Sequence, residues 1–125
     1  NGIPIGVDDD ITHRHERPEK YKWFEHGERN AIYSAAKYGI STENASLYTN
    51  AMPCADCARG IIQSGIKCVY VHKQFNDLTE SVVRDQWKGH HIATTSMLSE
   101  AGVNFFEIDA VLGCKAYFDG KVYNI

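Results

Sequence analysis

The sequence predicts a layered α/β domain whose strands pair in parallel. Short runs of β-type residues alternate along the chain with segments of helical period, the pattern of strand–helix–strand units. Glycines punctuate the ends of the helical segments. The 125 residues are 43% apolar and 23% charged, which suits one domain able to bury a core without disulfide or metal staples. Residues 1–125 are therefore expected to form a single domain.

The elements follow in order. Residues 1–22 are rich in Gly, Pro, Asp and charge and read as a loop. From about Phe24 to Tyr38 the period is helical, with Gly39 as its stop. Ser46–Thr49 carries β-type residues and reads as a strand. Pro53 is expected to open a second helix, at the first position where proline is tolerated, and Gly65 ends it after about Ser64. Lys67 to His72 is mostly apolar and reads as a central strand. A polar stretch covers about Gln74 to Leu78, and a longer, less regular helical region runs from about Thr79 to Ala101. Its last part is amphipathic, since Thr94, Met97, Leu98 and Ala101 fall at i, i+3, i+4 and i+7; Gly102 stops it. Val103 to Ile108 is a third strand. Ala116-Tyr117-Phe118 and Val122-Tyr123 flank Asp119-Gly120, a hairpin signal.

Charge and leader signals narrow the function classes. The chain has 13 basic and 16 acidic side chains, a net charge of −3, which argues against a protein built to grip a polynucleotide backbone. There is no apolar run of about 18 residues, so no membrane span is expected. There is also no basic-then-apolar leader, so a cytoplasmic location is expected. The first residue is Asn1 rather than Met, and the opening Asn1-Gly2-Ile3-Pro4-Ile5-Gly6 is turn chemistry; a preceding N-terminal piece is expected.

Of the four cysteines, Cys54 and Cys57 form a C-x-x-C pair, which in a chain without a secretion signal suggests metal binding or thiol redox work. Cys68 lies in an apolar run and reads as a small hydrophobe; Cys114 shows no partner pattern. On a helical wheel Cys54, Cys57, Ala58, Ile61 and Ile62 share one face, so both thiols point inward from the first turn. A helix N-terminus favours the thiolate, the form that binds a metal. Two thiolates do not complete a zinc site. The start of the first helix offers His26 and, two residues on, Glu28, which heads the stripe Glu28, Ile32, Ala35. One imidazole and two thiolates hold Zn²⁺ and leave one position open, and zinc lowers the pKa of a water there toward about 7. In the pattern His-x-Glu followed by Pro-Cys-x-x-Cys, the glutamate is not a ligand but moves protons to the ring nitrogen and to the departing ammonia.

The sequence resembles the zinc-dependent cytidine and deoxycytidylate deaminase family. His26-Gly27-Glu28-Arg29-Asn30-Ala31-Ile32 is similar to that family's H-A-E-x-N-A-I, with Gly27 in place of the usual alanine. Met52-Pro53-Cys54-Ala55-Asp56-Cys57-Ala58 resembles its P-C-x-x-C-A, and Ile61-Ile62-Gln63-Ser64-Gly65-Ile66 its run into the next strand. The opening six residues resemble the N-G-x-P-x-G loop of deoxycytidylate deaminases. The resemblance implies a three-layer α/β/α domain around a mixed five-stranded sheet, with a helix and first strands upstream of Asn1. It also implies Asn1 at the nucleotide's sugar, zinc held by His26, Cys54 and Cys57, Glu28 as the catalytic residue, and assembly from several subunits. The opening loop reads Gly6-Val7-Asp8-Asp9-Asp10, without the Cys that a second metal in regulated members would use.

The expected reaction is hydrolytic deamination of deoxycytidylate (dCMP) to deoxyuridylate (dUMP). Arg14 and Arg17, in the basic stretch 13–22, are candidates for the nucleotide phosphate, because guanidinium matches phosphate geometry. The alternatives are another deaminase of the same chemistry, such as one acting on transfer RNA adenosine, and a non-catalytic zinc assembly domain. The first is disfavoured by the net charge and the second by Glu28, for which a structural zinc site has no use. His72, His90 and His91 follow no ligand spacing, and Tyr117, Phe118 and Tyr123 read as packing residues.

Overall fold

The structure is a computed structural model that describes residues 1–81, 85–118 and 121–125, and the side chains of all of these except 80, 81 and 85–88. Its contacts divide the chain into two compact units, Asn1–Ser41 and Thr42–Ile125.

In the first unit the expected loop holds a short 3-10 helix, Thr12–His15, and a single-turn helix α1, Lys20–Trp23. Trp23 anchors this turn. The Arg14 guanidinium lies 4.0 Å over its ring, and its Nε1–H donates to Glu19 Oε1 at 3.3 Å. Helix α2 is Gly27–Lys37, starting three residues later than the helical period suggests. The reason is tertiary. Glu25 is drawn into an antiparallel bridge with Gly2, donating its N–H to the Gly2 carbonyl at 2.8 Å and accepting from the Gly2 N–H at 3.1 Å. A residue bridged in this way has no backbone groups left for a helix. Glu28, Ile32 and Ala35 are half-buried and form the inner line of α2, as their spacing predicts.

The second unit is built on strands β1 Ser46–Thr49, β2 Cys68–His72 and β3 Asn104–Ile108, in the order β1-β2-β3 and parallel throughout. Helix α3, Ala55–Gln63, connects β1 to β2; helices α4, Lys73–Ser81, and α5, Asp85–Glu100, connect β2 to β3. Right-handed crossovers in one direction place successive helices on the same face of the sheet, and α3 packs against α5. That layer buries Cys57, Ala58 and Ile61 of α3, Leu98 of α5, and Val69 and Val71 of the central strand β2. Each large aliphatic side chain buried there contributes on the order of 1.5–3 kcal/mol. Side chains alternate along a strand, so the other parity carries a ladder of rings at one register position. Tyr48 stacks on Tyr70 at 4.8 Å and Tyr70 on Phe106 at 5.0 Å between centroids.

Strands β4, Lys115–Phe118, and β5, Lys121–Asn124, form an antiparallel pair, as the hairpin signal predicts; the turn residues Asp119 and Gly120 lie outside the described residues. The α/β class and the parallel core hold. The five described strands are shared between a three-stranded and a two-stranded sheet. The polar stretch after β2 proves helical, as α4. Its Phe75, Asn76 and Thr79 are buried, and Phe75 makes edge-on contacts at 6.0 Å with Phe118 and Tyr123 of the hairpin. Cys68 is half-buried, on the sheet parity of Tyr70, rather than a core residue. Among the described residues no helix is long and apolar enough to cross a membrane.

The exit from α3 depends on glycine. Gly65 has φ +76°, and a Cβ there would overlap the Glu43 carboxylate and approach the Glu43 Cα at 3.3 Å. The left-handed conformation costs a residue with a Cβ roughly 1–2 kcal/mol before any clash. Gly65→Ala is expected to lower unfolding stability by about 1–3 kcal/mol; urea unfolding measures it, and an unchanged midpoint would show that the turn relaxes freely.

Candidate metal centre

The two thiols sit where β1 hands over to α3. Pro53 lies outside that helix, two positions before its first residue Ala55 rather than at the first helical position. Cys54 is the N-cap, with extended φ −70° and ψ 167°, and its carbonyl accepts the first helical hydrogen bond, from the Ala58 N–H at 2.9 Å. Cys57 then falls one turn on, on the buried face. Cys57 is 0% and Cys54 8% exposed, and neither is in a disulfide. Their sulfurs are 3.6 Å apart. A disulfide requires about 2.05 Å, so the pair is not a bonded redox couple. Two thiolates on one tetrahedral zinc, each about 2.3 Å from the metal, stand roughly 3.8 Å apart. The thiol pair therefore fits zinc as it stands.

The first unit builds the other half of the motif around the start of α2. His26 is the N-cap, with φ −76° and ψ 151°, and its carbonyl accepts from the Asn30 N–H at 2.9 Å. Glu28 lies in the first turn. The Glu25 carboxylate holds this turn from below: its Oε1 accepts the His26 N–H at 3.1 Å and pairs with the Arg29 guanidinium one turn on. The sequence reading missed both Glu25 and Arg29, although their i, i+4 spacing is a helix-pair signal.

Asn1 is brought to the same turn. The Gly2–Glu25 bridge carries it there, and its Oδ1 accepts the Gly27 N–H at 2.6 Å. An added Cβ at Gly27 would stand 3.3 Å from that oxygen, so glycine gives Asn1 its close approach. The two arginines are placed differently. Arg14 stacks on Trp23 and donates Nη1–H to the Asp8 carbonyl at 2.7 Å, while Arg17 lies on an exposed segment. The acidic run 8–10 folds against the basic stretch, with His15 Nε2 2.8 Å from the Asp9 carbonyl. His72 is a satisfied core residue. Its Nδ1 accepts the Phe75 N–H at 3.2 Å, so Nε2 carries the proton and donates to the Ala110 carbonyl at 2.8 Å.

A family model described as the cytidine and deoxycytidylate deaminase zinc-binding region matches residues 7–73, more than half of the chain. The chain belongs to this deaminase family. The matched region takes in His26, Glu28, Cys54 and Cys57. His26 of the first unit carries an imidazole and Cys54 and Cys57 of the second carry two sulfurs, the ligand types that a zinc site uses. An uncharacterized deaminase from the luxG 3′ region of Aliivibrio fischeri is 35% identical over 103 residues, covering 82% of this chain and 64% of its own. Human deoxycytidylate deaminase is 31% identical over 111 residues, covering 84% of this chain and 56% of its own. The chain thus spans less than two thirds of the length of these deaminases. Among solved structures, the dCMP deaminase of cyanophage S-TIM5 in its apo form superposes with a TM-score of 0.58 at 27% identity, covering 86% of this chain and 67% of that one. That likeness extends the cytidine-deaminase-like α/β architecture over most of the chain.

Proposed function

We propose that this deaminase converts dCMP and water to dUMP and ammonia, with His26, Cys54 and Cys57 holding zinc and Glu28 as the catalytic residue. When bound, zinc supplies Lewis-acid activation that makes water a nucleophile near neutral pH. The protein's own part is proton handling and orientation. As the water oxygen bonds to C4 of the pyrimidine, the Glu28 carboxylate takes up a water proton and delivers it to N3. It then carries the second proton to the C4 amino group, the C–N bond breaks and ammonia leaves, which leaves a C4 carbonyl and a protonated N3. The observation that carries this reading is the thiol couple at zinc spacing, inside a family-matched region that also contains His26 and Glu28. Asn1, held beside Gly27, is the proposed contact to the sugar. Ammonia release across dCMP, CMP, deoxycytidine, dCTP and adenosine tests the assignment: dCMP is expected to be the preferred substrate, and a preference for adenosine would overturn it.

Phosphate recognition belongs to the same proposal, through Arg17 and Arg14. Charge-assisted hydrogen bonds to phosphate contribute about 1.5–3 kcal/mol each. Deoxycytidine should therefore show a kcat/KM at least about tenfold below that of dCMP, since about 1.4 kcal/mol is one decade. Arg17→Ala is expected to remove much of that preference while the fold stays intact. Arg14→Ala should also loosen the Trp23 stack and lower thermal stability. Equal turnover of dCMP and deoxycytidine by the wild type would end the phosphate assignment and leave a nucleoside deaminase. The proposal includes a homo-oligomer, supported by the exposed Tyr48 and Phe106 of the ring ladder, and light scattering checks it.

A further inference from the structure

We infer that Asn76 and Thr94 are positioning residues that hold the Met52–Pro53 turn, and through it the Cys54–Cys57 pair, in metal-binding geometry. The inference rests on the zinc reading above. Met52 and Pro53 lie between the end of β1 and the start of α3, where neither a sheet ladder nor a helix pairs their backbone groups. Pro53 has no N–H, and Cys54 makes no side-chain cap. Something else must anchor the segment, and two buried polar side chains from other elements do so.

Asn76 of α4, 2% exposed, accepts the Met52 N–H on its Oδ1 at 2.8 Å. Its Nδ2 donates to Glu107 Oε1 of β3 at 3.3 Å, and a carboxylate can only accept there, so the amide orientation is settled. Lys73 lies 3.7 Å from the other Glu107 oxygen and 3.2 Å from Asp77. Thr94 of α5, 0% exposed, donates Oγ1–H to the Pro53 carbonyl at 3.0 Å. The residue directly before Cys54 is thus bonded at its carbonyl, and the one before that at its N–H, from two different helices.

Metal sites tolerate only about 0.2 Å of ligand error. A turn freed at either bond shifts Cys54 relative to Cys57, and partners that orient ligands typically change metal affinity by about 10–100-fold. Asn76 and Thr94 touch neither metal nor substrate in this scheme. They act on the backbone that carries the thiols.

The test uses the whole chain as Thr94→Val, Thr94→Ser and Asn76→Leu. Zinc affinity is measured by chelator competition, and the thiolate charge-transfer band is recorded with Co²⁺ in place of zinc. Thiol labelling of the metal-free protein is read residue by residue by mass spectrometry. The expected result is a zinc affinity about 10–100-fold weaker in Thr94→Val and Asn76→Leu, an altered cobalt band, and faster labelling of Cys54 and Cys57. Thr94→Ser, which keeps the hydroxyl, should restore all three. Val69→Ala, a core truncation on β2, should lower stability and leave zinc affinity within about threefold. Folded Thr94→Val and Asn76→Leu proteins with wild-type zinc affinity and labelling would overturn the positioning role and leave the zinc reading intact. If the wild type takes up no zinc, the zinc reading fails. The labelling rates then decide the positioning role: faster labelling in the variants upholds it, unchanged rates overturn it.

Discussion

Glu28→Gln is expected to reduce ammonia release from dCMP on the order of 10⁴-fold while zinc content and thermal unfolding stay at wild-type values. Gln matches Glu in shape and keeps an acceptor oxygen, but it cannot take up and release a proton. A positioned acid–base group typically contributes about 10²–10⁴-fold. In the proposed reaction one carboxylate serves two successive transfers, first to N3 and then to the leaving amino group, so the loss should fall at the top of that range. The fold has little stake in the change, because Glu28 is half-buried in the first turn of α2, where a neutral polar side chain is also tolerated. A variant that retains zinc and turns over within tenfold of wild type would remove Glu28 from the chemistry. A variant that loses zinc would show that Glu28 supports the metal instead.

Cys57→Ala is expected to have the larger effect on the protein as a whole. It should release zinc, abolish measurable turnover and lower the melting temperature on the order of 10 °C or more. Two losses combine. Cys57 is 0% exposed on the face of α3 that packs into the core, so truncation leaves a small void beside Ala58 and Ile61. More important, a metal that binds only the native state stabilises it by mass action, by about 4 kcal/mol when free metal stands at 1,000 times its dissociation constant. The two contributions separate experimentally. Added zinc should raise the wild-type melting temperature and a chelator should lower it, whereas the melting temperature of Cys57→Ala should respond to neither. Cys114→Ser, at an exposed thiol, should keep both zinc and the response. Wild-type zinc content in Cys57→Ala would overturn the ligand assignment.

Much of the fold and of the candidate site is legible in the sequence, and the reason is distance along the chain. The helix ends at Gly39, Gly65 and Gly102 are local: each glycine has positive φ, and each closes a helix within a few residues. The inward face of α3, with Cys57, Ala58 and Ile61 buried together, follows from a period of 3.6 acting over two turns. The thiol pair is legible for the same reason, since residues i and i+3 at a helix start share a face whatever else the chain does. The parallel order β1-β2-β3 follows from helices lying between the strands.

The misplaced elements fail for the opposite reason. The start of α2 moves from Phe24 to Gly27 because Glu25 pairs with Gly2, and α4 forms in a polar stretch because Phe75 finds Phe118 and Tyr123. Arg14 reads in the sequence as a candidate for the nucleotide phosphate, yet its guanidinium lies over the Trp23 ring. None of these partners is near in sequence.

What the sequence determined by itself is the chemistry available: an imidazole, two thiols and a carboxylate at helix starts, on an alternating α/β scaffold. What only the tertiary structure decided is how that chemistry is held. Asn1 reaches Gly27 across 26 residues, Asn76 reaches Met52 across 24 and Thr94 reaches Pro53 across 41. Backbone preference and side-chain period act over one or two turns, so they place donors on faces. Which buried N–H or C=O each polar side chain satisfies depends on which elements pack together, and that is settled by burial of the whole core rather than by any local run of residues.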